Sequence, residues 1–238
     1  MSRPATGASV RIREIVRPDD DAIRAAHDLL RAAFSRHERV SLAEWRATLQ
    51  ERARGVWTDY AWHLLVAEQR GRVLGFATGT YLGNVNIGVI GYLAIDACAR
   101  AGGLGTRLRR RLRAAFLRDA RALVGRELAG IVGEVSPDNP WLDALARKPE
   151  VLVLDLPYFQ PRLHPGDKPS PFVLYYESIG GPRRWLSATE VRRMIYAIWR
   201  RAYRISRPLE RPAFRRMLRS LAGRNRIGPL PAYRRRSR

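Results

Sequence analysis

The chain has 238 residues, 46% hydrophobic and 28% charged, a composition that suits a folded domain and excludes a low-complexity or fibrous one. Its formal net charge is +22, and the single cysteine, Cys98, excludes an internal disulfide. No apolar run approaches the roughly 18 residues of a membrane span and no signal-peptide pattern opens the chain, so a cytoplasmic protein without a transmembrane segment is expected. The four histidines, His27, His37, His63 and His164, are scattered without metal-ligand spacing, and no metal is expected.

Residues 1–9 read as a disordered start. Val10 to Ile15 alternates apolar and polar residues and predicts a half-buried strand. Asp19-Asp20-Asp21 then offers N-cap and dipole-matching carboxylates to a helix carrying Ile23, Leu29, Leu30 and Phe34. Ser41 and Glu44 form a capping-box pattern that opens a second helix running to about Arg54. His63–Glu68 and Val73–Tyr81 read as strands joined by a hairpin at Gln69-Arg70-Gly71. Val89 to Ile95 is a third strand, followed by a Gly-rich turn and an Arg/Leu/Ala helix to about Leu123. A strand from Leu128 to Val135 leads into Ser136-Pro137-Asp138-Asn139-Pro140, a turn opening a short helix. Val151–Leu156 reads as a short buried strand, Pro157–Pro171 with its five prolines as loop, and Phe172–Glu177 as a last strand. This order predicts an α/β (α+β) chain, a mixed central sheet flanked by helices.

The chain changes character after Gly180-Gly181-Pro182, a hinge pattern. Residues 182–238 hold 18 arginines, no lysine and only two acids, Glu190 and Glu210, a net +16 that leaves +6 for the first 181 residues. Ser187 to Tyr203 predicts a helix with a second capping box at Ser187 and Glu190. Its stripe of Val191, Met194, Ile195, Ile198 and Tyr203 is expected to pack on its own domain. A short helix near Ala213–Leu221 follows, and 224–238 is expected to be a disordered Arg-rich tail.

The turn Arg100-Ala101-Gly102-Gly103-Leu104-Gly105 carries the most chemistry. Absent side chains bare the backbone N–H groups, and the positive end of the following helix suits a phosphate or pyrophosphate. The same glycines also serve a plain tight turn. The P-loop pattern fails for want of a Lys-Ser or Lys-Thr pair, and the dinucleotide spacing G-x-G-x-x-G is absent. What fits is R-x-x-G-x-G, with Arg100, Gly103 and Gly105 in the fixed places. This resembles the pyrophosphate turn of the GCN5-related N-acetyltransferases (GNAT), which move an acetyl group from acetyl-CoA, and the element order resembles that family's as well.

The resemblance implies an acetyl-CoA-dependent N-acetyltransferase domain over 10–181 with a basic helical extension at 182–223. It implies that Leu93, Ala94 and Ile95 line the pantetheine arm. Arg100, Ala101, Gly102, Gly103, Leu104, Gly105 and Thr106 would wrap the pyrophosphate, with Arg107 as a further contact. Glu134 followed by Asn139 resembles a second family patch, in which the asparagine meets the cofactor arm. The family often places an acidic-proton donor, a tyrosine, seven residues later; here that position is Ala146. Tyr158, Tyr92 and Tyr60 are substitutes by residue type. For the base, Glu134 near a central strand end comes first and Glu68 second, each with a structural ion pair as its competing role.

Two other readings stay open. The arginines of 182–238, interleaved with Trp185, Trp199 and Tyr203, suit a nucleic acid or an anionic membrane surface. A non-catalytic acyl-CoA-binding protein on the same fold would account for the missing tyrosine.

Overall fold

The acidic cluster before the first helix divides its work. The structure, a computed structural model, describes residues 9–234; residues 1–8 of the expected disordered start and 235–238 of the expected tail lie outside the described residues. Strand β1 (Arg11–Ile15) is followed by helix α1 (Ala22–Ala33), and Asp20 rather than Asp21 supplies the cap, its Oδ1 accepting from Ala22 N at 3.0 Å. Helix α2 (Leu42–Ala53) opens on the predicted box, with Glu44 N donating to Ser41 Oγ and Ser41 N to Glu44 Oε2. Strands β2 (Tyr60–Gln69) and β3 (Arg72–Leu82) join through Arg70 and Gly71, both at positive φ, as a two-residue hairpin turn with primed geometry requires.

Strand β4 (Ile87–Ile95) and strand β5 (Gly130–Val135) pair in parallel from Ile87↔Gly130 to Ile90↔Gly133, a pairing that needs a crossover. Helix α3 (Leu104–Val124) supplies it. Helix α4 (Trp141–Ala146) and strands β6 (Val151–Val153), β7 (Tyr158–Gln160) and β8 (Ser170–Ser178) follow. The result is a mixed eight-stranded sheet ordered β1-β2-β3-β4-β5-β8-β6, with β7 also pairing β8. β1–β2, β5–β8, β6–β8 and β7–β8 are antiparallel.

The Pro-rich segment 157–171, expected as loop throughout, contains β7. Tyr158 and Gln160 pair with Phe172 and Ser170 across the short ladder, and Pro171 sits opposite Phe159. A proline is tolerated where a strand is short and lateral, because little is lost with its missing donor.

The chain forms two compact units. The first comprises the described residues up to Trp57 with Trp62–Gly79 and Tyr92–Ala115. Its core joins Ile23, Leu30, Leu49, Leu64, Phe76, Leu108 and Leu112, all fully buried, and Trp45 meets Phe76 edge-on at 5.5 Å. Two ion clusters tie β1 to its neighbours: Arg13 to Asp20 and Glu68, and Glu14 to Arg52 and buried His63.

The second unit comprises Thr58–Ala61, Thr80–Gly91 and the chain from Phe116 onward. The basic extension belongs to its core. β9 (Leu186–Ser187) leads into α5 (Ala188–Ala197), whose predicted capping box forms, and residues 198–202 continue as one π-helical turn. Val191, Ile195, Ile198 and Trp199 pack with Val132, Leu174 and Tyr176 of the sheet and with Phe214 and Met217 of α6 (Pro212–Ser220). Val191, Met194, Ile195 and Ile198 of the expected stripe are thus buried and Tyr203 is half-buried, while Arg193 and Arg200 face outward and Arg192 and Arg201 bond back to Leu221 O and Asp59.

Residues 224–234, which composition marked as tail, carry β10 (Arg226–Ile227), paired with β9, and a single 3-10 turn at Pro231–Tyr233. Lateral bonding holds them: Leu230 N donates to Val153 O at 2.8 Å, Asp155 N to Gly228 O at 3.0 Å, and Arg224 clasps Asp155. Among the described residues, no helix is long and apolar enough to cross a membrane.

Candidate active site

In the first unit, β4 ends at Ile95 and the chain turns through Asp96 into the N-terminus of α3. Asp96 Oδ1 accepts from Cys98 N at 3.0 Å and Oδ2 from Arg72 Nη2 at 2.8 Å, and together these donors hold its carboxyl at about 2. Arg100 Nε reaches back to Ile95 O at 3.4 Å. Ala101 and Gly103 then take φ of +65° and +68°, which turn the backbone sharply before the helix. A glycine suits the second position because an L side chain is strained there.

The first α-helical bond of α3 is Arg107 N to Gly103 O at 3.1 Å. The amides of Leu104, Gly105 and Thr106 therefore have no acceptor within the helix. Ala101, Gly102, Gly103 and Thr106 are exposed, so this end of the helix dipole opens to solvent. Gly105 lies on β4, where an added Cβ would touch Leu93 and Ile95 at 3.6 and 3.9 Å, and Ala94 is buried between them in sequence. A cleft of about 590 Å³ adjoins the turn, lined by Arg70, Arg72, Arg100 and Arg107 together with Cys98 and Gly102. Arg107 also donates to Val10 O at 2.8 Å, which fixes its guanidinium at the cleft wall. Bare amides, a helix N-terminus and four guanidinium groups make a site whose chemistry fits a polyphosphate.

In the second unit, Glu134 stands one residue before the end of β5, half-buried, on the face shared by Val132 and Leu174. Tyr158 Oη donates to its Oε1 at 2.7 Å, and Tyr203 Oη donates to its Oε2 at 2.5 Å. Gln160 Nε2 in turn donates to Tyr203 Oη at 3.0 Å. Burial pushes the Glu134 carboxyl up, and the two hydroxyl donors pull it part of the way back, leaving it at about 7. The Tyr158 hydroxyl, fully buried and facing that carboxylate, is held well above its ordinary value. A carboxyl that titrates near neutrality while held at both oxygens can exchange a proton at working pH.

Comparisons with known proteins bear on the fold that carries these residues. Residues 24–140 match the model of the acetyltransferase (GNAT) family. That segment is a GNAT-family acetyltransferase domain. No curated protein matches the chain in sequence. Among solved structures, a protein from Bacteroides thetaiotaomicron assigned to GNAT acetyltransferases superposes with a TM-score of 0.59 at 18% identity, covering 82% of this chain and 99% of its own. Ard1 from Thermoplasma volcanium gives 0.50 at 16% identity, covering 71% and 98%, and a protein from Acinetobacter baylyi assigned as an acetyltransferase gives 0.51 at 19%, covering 74% and 97%. At these identities the likeness is one of fold, and the mixed sheet flanked by helices is the GNAT architecture.

Within the GNAT match lie the whole turn, Glu134, Tyr92 and Asn139; Tyr158 and Tyr203 lie beyond it. Tyr92 is in the first unit, where its hydroxyl donates to Glu38 O at 2.5 Å and its ring meets Phe34 edge-on at 5.1 Å. Asn139 is exposed, and its Oδ1 accepts from Trp141 N at 3.0 Å, capping α4. Tyr60 lies under Arg201 at 5.8 Å, and Glu68 receives two bonds from Arg13. The structure thus brings Glu134 and Tyr158 together. Sequence reasoning missed Tyr203 and Gln160 as members of that group, since Tyr203 read as part of an apolar stripe and as one of the aromatics interleaved with the arginines of the extension. Among the described residues, no group of three or more His, Cys, Asp or Glu has metal-site geometry.

Proposed function

We propose that the protein is an N-acetyltransferase that moves the acetyl group of acetyl-CoA to an amine by direct attack on the thioester. The observation that carries this reading is the turn at Arg100–Thr106, whose bare amides open a helix N-terminus beside an arginine-lined cleft. Arg100 to Arg107 would hold the pyrophosphate, and Leu93, Ala94, Ile95 and Asn139 the pantetheine arm. Glu134 takes the proton of the arriving ammonium, so that the nitrogen lone pair attacks the carbonyl carbon. The C–S bond then breaks, the departing thiolate receives a proton, and the second proton shed by the nitrogen as the amide forms replaces the one the donor gave up. Tyr158 is the first donor for that step because its hydroxyl already shares the Glu134 network, and Tyr92 is the second. A single cysteine and acetyl-CoA use fit a reducing cytoplasm.

Calorimetric titration with acetyl-CoA, with ATP as control, tests the reading. Micromolar binding of acetyl-CoA and weak binding of ATP support it, and no binding refutes it. Thiol release in the presence of primary amines separates an enzyme from an acyl-CoA-binding protein, which would bind and release nothing.

One observation favours a second reading, polyanion binding through 182–238. Arg193, Tyr196 and Arg200 recur at i, i+3 and i+7 on the exposed side of the helix, a stripe that suits phosphates and stacked bases. Steeply salt-dependent binding of an RNA oligonucleotide would support it.

A further inference from the structure

The tyrosine on Glu134 Oε2 comes from the arginine-rich extension, well outside the segment that matches the family. Its arrival there has a local cause. After α5 the helix widens, and Tyr203 N donates to Ile198 O at 3.0 Å, five residues back. A π-turn, closed i→i+5, holds more residues than the roughly 3.6 of an α-turn, so Tyr203 comes round nearer the azimuth of buried Ile198. A continuous α-helix would carry it about 140° away, off the packed stripe. Three more contacts fix the segment: Trp199 Nε1 donates to Phe159 O at 3.2 Å, Ile205 N to Trp199 O at 2.9 Å, and Arg201 grips Asp59 through both nitrogens. Gln160, from β7, then sets the Tyr203 hydroxyl through Nε2.

We propose that Tyr203 is a positioning residue for acyl transfer, holding Glu134 Oε2 while Tyr158 holds Oε1, so that the C-terminal extension completes the base. The proposal rests on the reading of Glu134 as that base. The groups acting on the carboxyl are few. Tyr158 faces it from β7 and Tyr203 from the extension, Val132 and Leu174 share its face of β5 and β8, and Arg216 of α6 stacks over the Phe159 ring at 5.2 Å. Among the described residues, no charged side chain shifts it. A hydroxyl donor favours the ionised form, so its removal must raise the carboxyl further.

The test is a carbon-13 titration of the full-length protein labelled at glutamate carboxyls, with Glu134→Gln identifying the signal. The wild-type midpoint is expected near 7. Tyr203→Phe keeps the ring and loses the donor, and its midpoint is expected about one unit higher. A purely packing role would leave the midpoint in place, and a shift under about 0.3 unit overturns the proposal. Should Tyr203→Phe fail to fold, Gln160→Leu decides: a smaller rise supports the proposal and an unmoved midpoint overturns it. Thiol release from acetyl-CoA with a peptide N-terminus, a lysine side chain and a polyamine separates the two readings. If release survives Glu134→Gln, the base reading falls. If Glu134→Gln abolishes release while Tyr203→Phe leaves the titration unchanged, the positioning role alone falls.

Discussion

Replacing Glu134 by Gln should stabilise the protein at alkaline pH and change little in acid. Burial raises the carboxyl from 4.5 to about 7 despite two tyrosine donors. Between those values the folded chain holds a proton that the unfolded chain releases. The group's contribution is therefore fully present below about 4.5 and is lost as the pH rises through about 7. An interval of about 2.5 units corresponds to about 3 kcal/mol, of which about 2.5 kcal/mol is lost between pH 5 and pH 8. Gln fills the same volume, accepts from one tyrosine and donates to the oxygen of the other, and carries no charge to desolvate. Guanidinium unfolding of both proteins at pH 5 and pH 8 measures the difference directly. The variant should gain on the wild type by about 2 kcal/mol between the two conditions, or roughly 5 °C in melting temperature for a chain of this size. An equal gap at both values would refute the argument, because it would mean that Glu134 titrates alike in the folded and unfolded chains.

Gly103→Glu should weaken acetyl-CoA about a hundredfold in calorimetry, through backbone strain at φ +68° and a carboxylate beside the bare amides worth about 3 kcal/mol at ~5 Å; an affinity within threefold of wild type would remove the phosphate turn. Gly103→Ala, with nothing within 4 Å of its methyl, isolates the backbone part at about 1 kcal/mol in chemical unfolding. Trp199→Ala should cost about 3–5 kcal/mol, since the ring is buried against Phe214 in the core of the second unit, and a loss under about 1 kcal/mol would show the extension to be only loosely docked. Glu14→Gln should behave oppositely to Glu134→Gln. Burial works to raise Glu14, but His63 and Arg52 outweigh it and hold the carboxyl at about 2, so its stabilisation is present above about 4.5 and lost as the pH falls through 2. The variant should be about 2–3 kcal/mol less stable at pH 7 with the deficit shrinking towards pH 2, and a constant deficit would contradict the assigned ion pair.

Much of the fold was legible because its signals are local. Capping boxes at Ser41 and Ser187 are four-residue patterns that form the same bonds wherever the helix lies. The apolar strands and the R-x-x-G-x-G turn likewise depend on neighbours in sequence. Other features depend on partners far along the chain. β7 was hidden because five prolines dominate its surroundings, although Tyr158-Phe159-Gln160 itself contains none. Residues 224–234 order through bonds to Val153 and Asp155, which composition does not report. Glu134 and Tyr158 were nameable singly, by residue type and place. Tyr203 was not, because its role spans a separation of 69 residues and needs a π-turn that alters the helical phase, and Gln160 to orient it.

The family match ends at residue 140, soon after Glu134, and both hydroxyls on that carboxylate come from later in the chain. A carboxylate in the same burial without them would titrate higher still, because the donors act against desolvation. A base is most useful when its proton affinity lies near the working pH, so the hydroxyls bring the proposed base towards that range rather than away from it. The arginines of the extension then have a plain structural consequence. Arg201 and Arg224 fasten the segment to Asp59 and Asp155, while Val191, Ile195 and Trp199 fill the core beneath. Substitutions that loosen those anchors should thus act on the Glu134 titration without touching it, and Arg201→Ala is expected to raise that midpoint in the same direction as Tyr203→Phe.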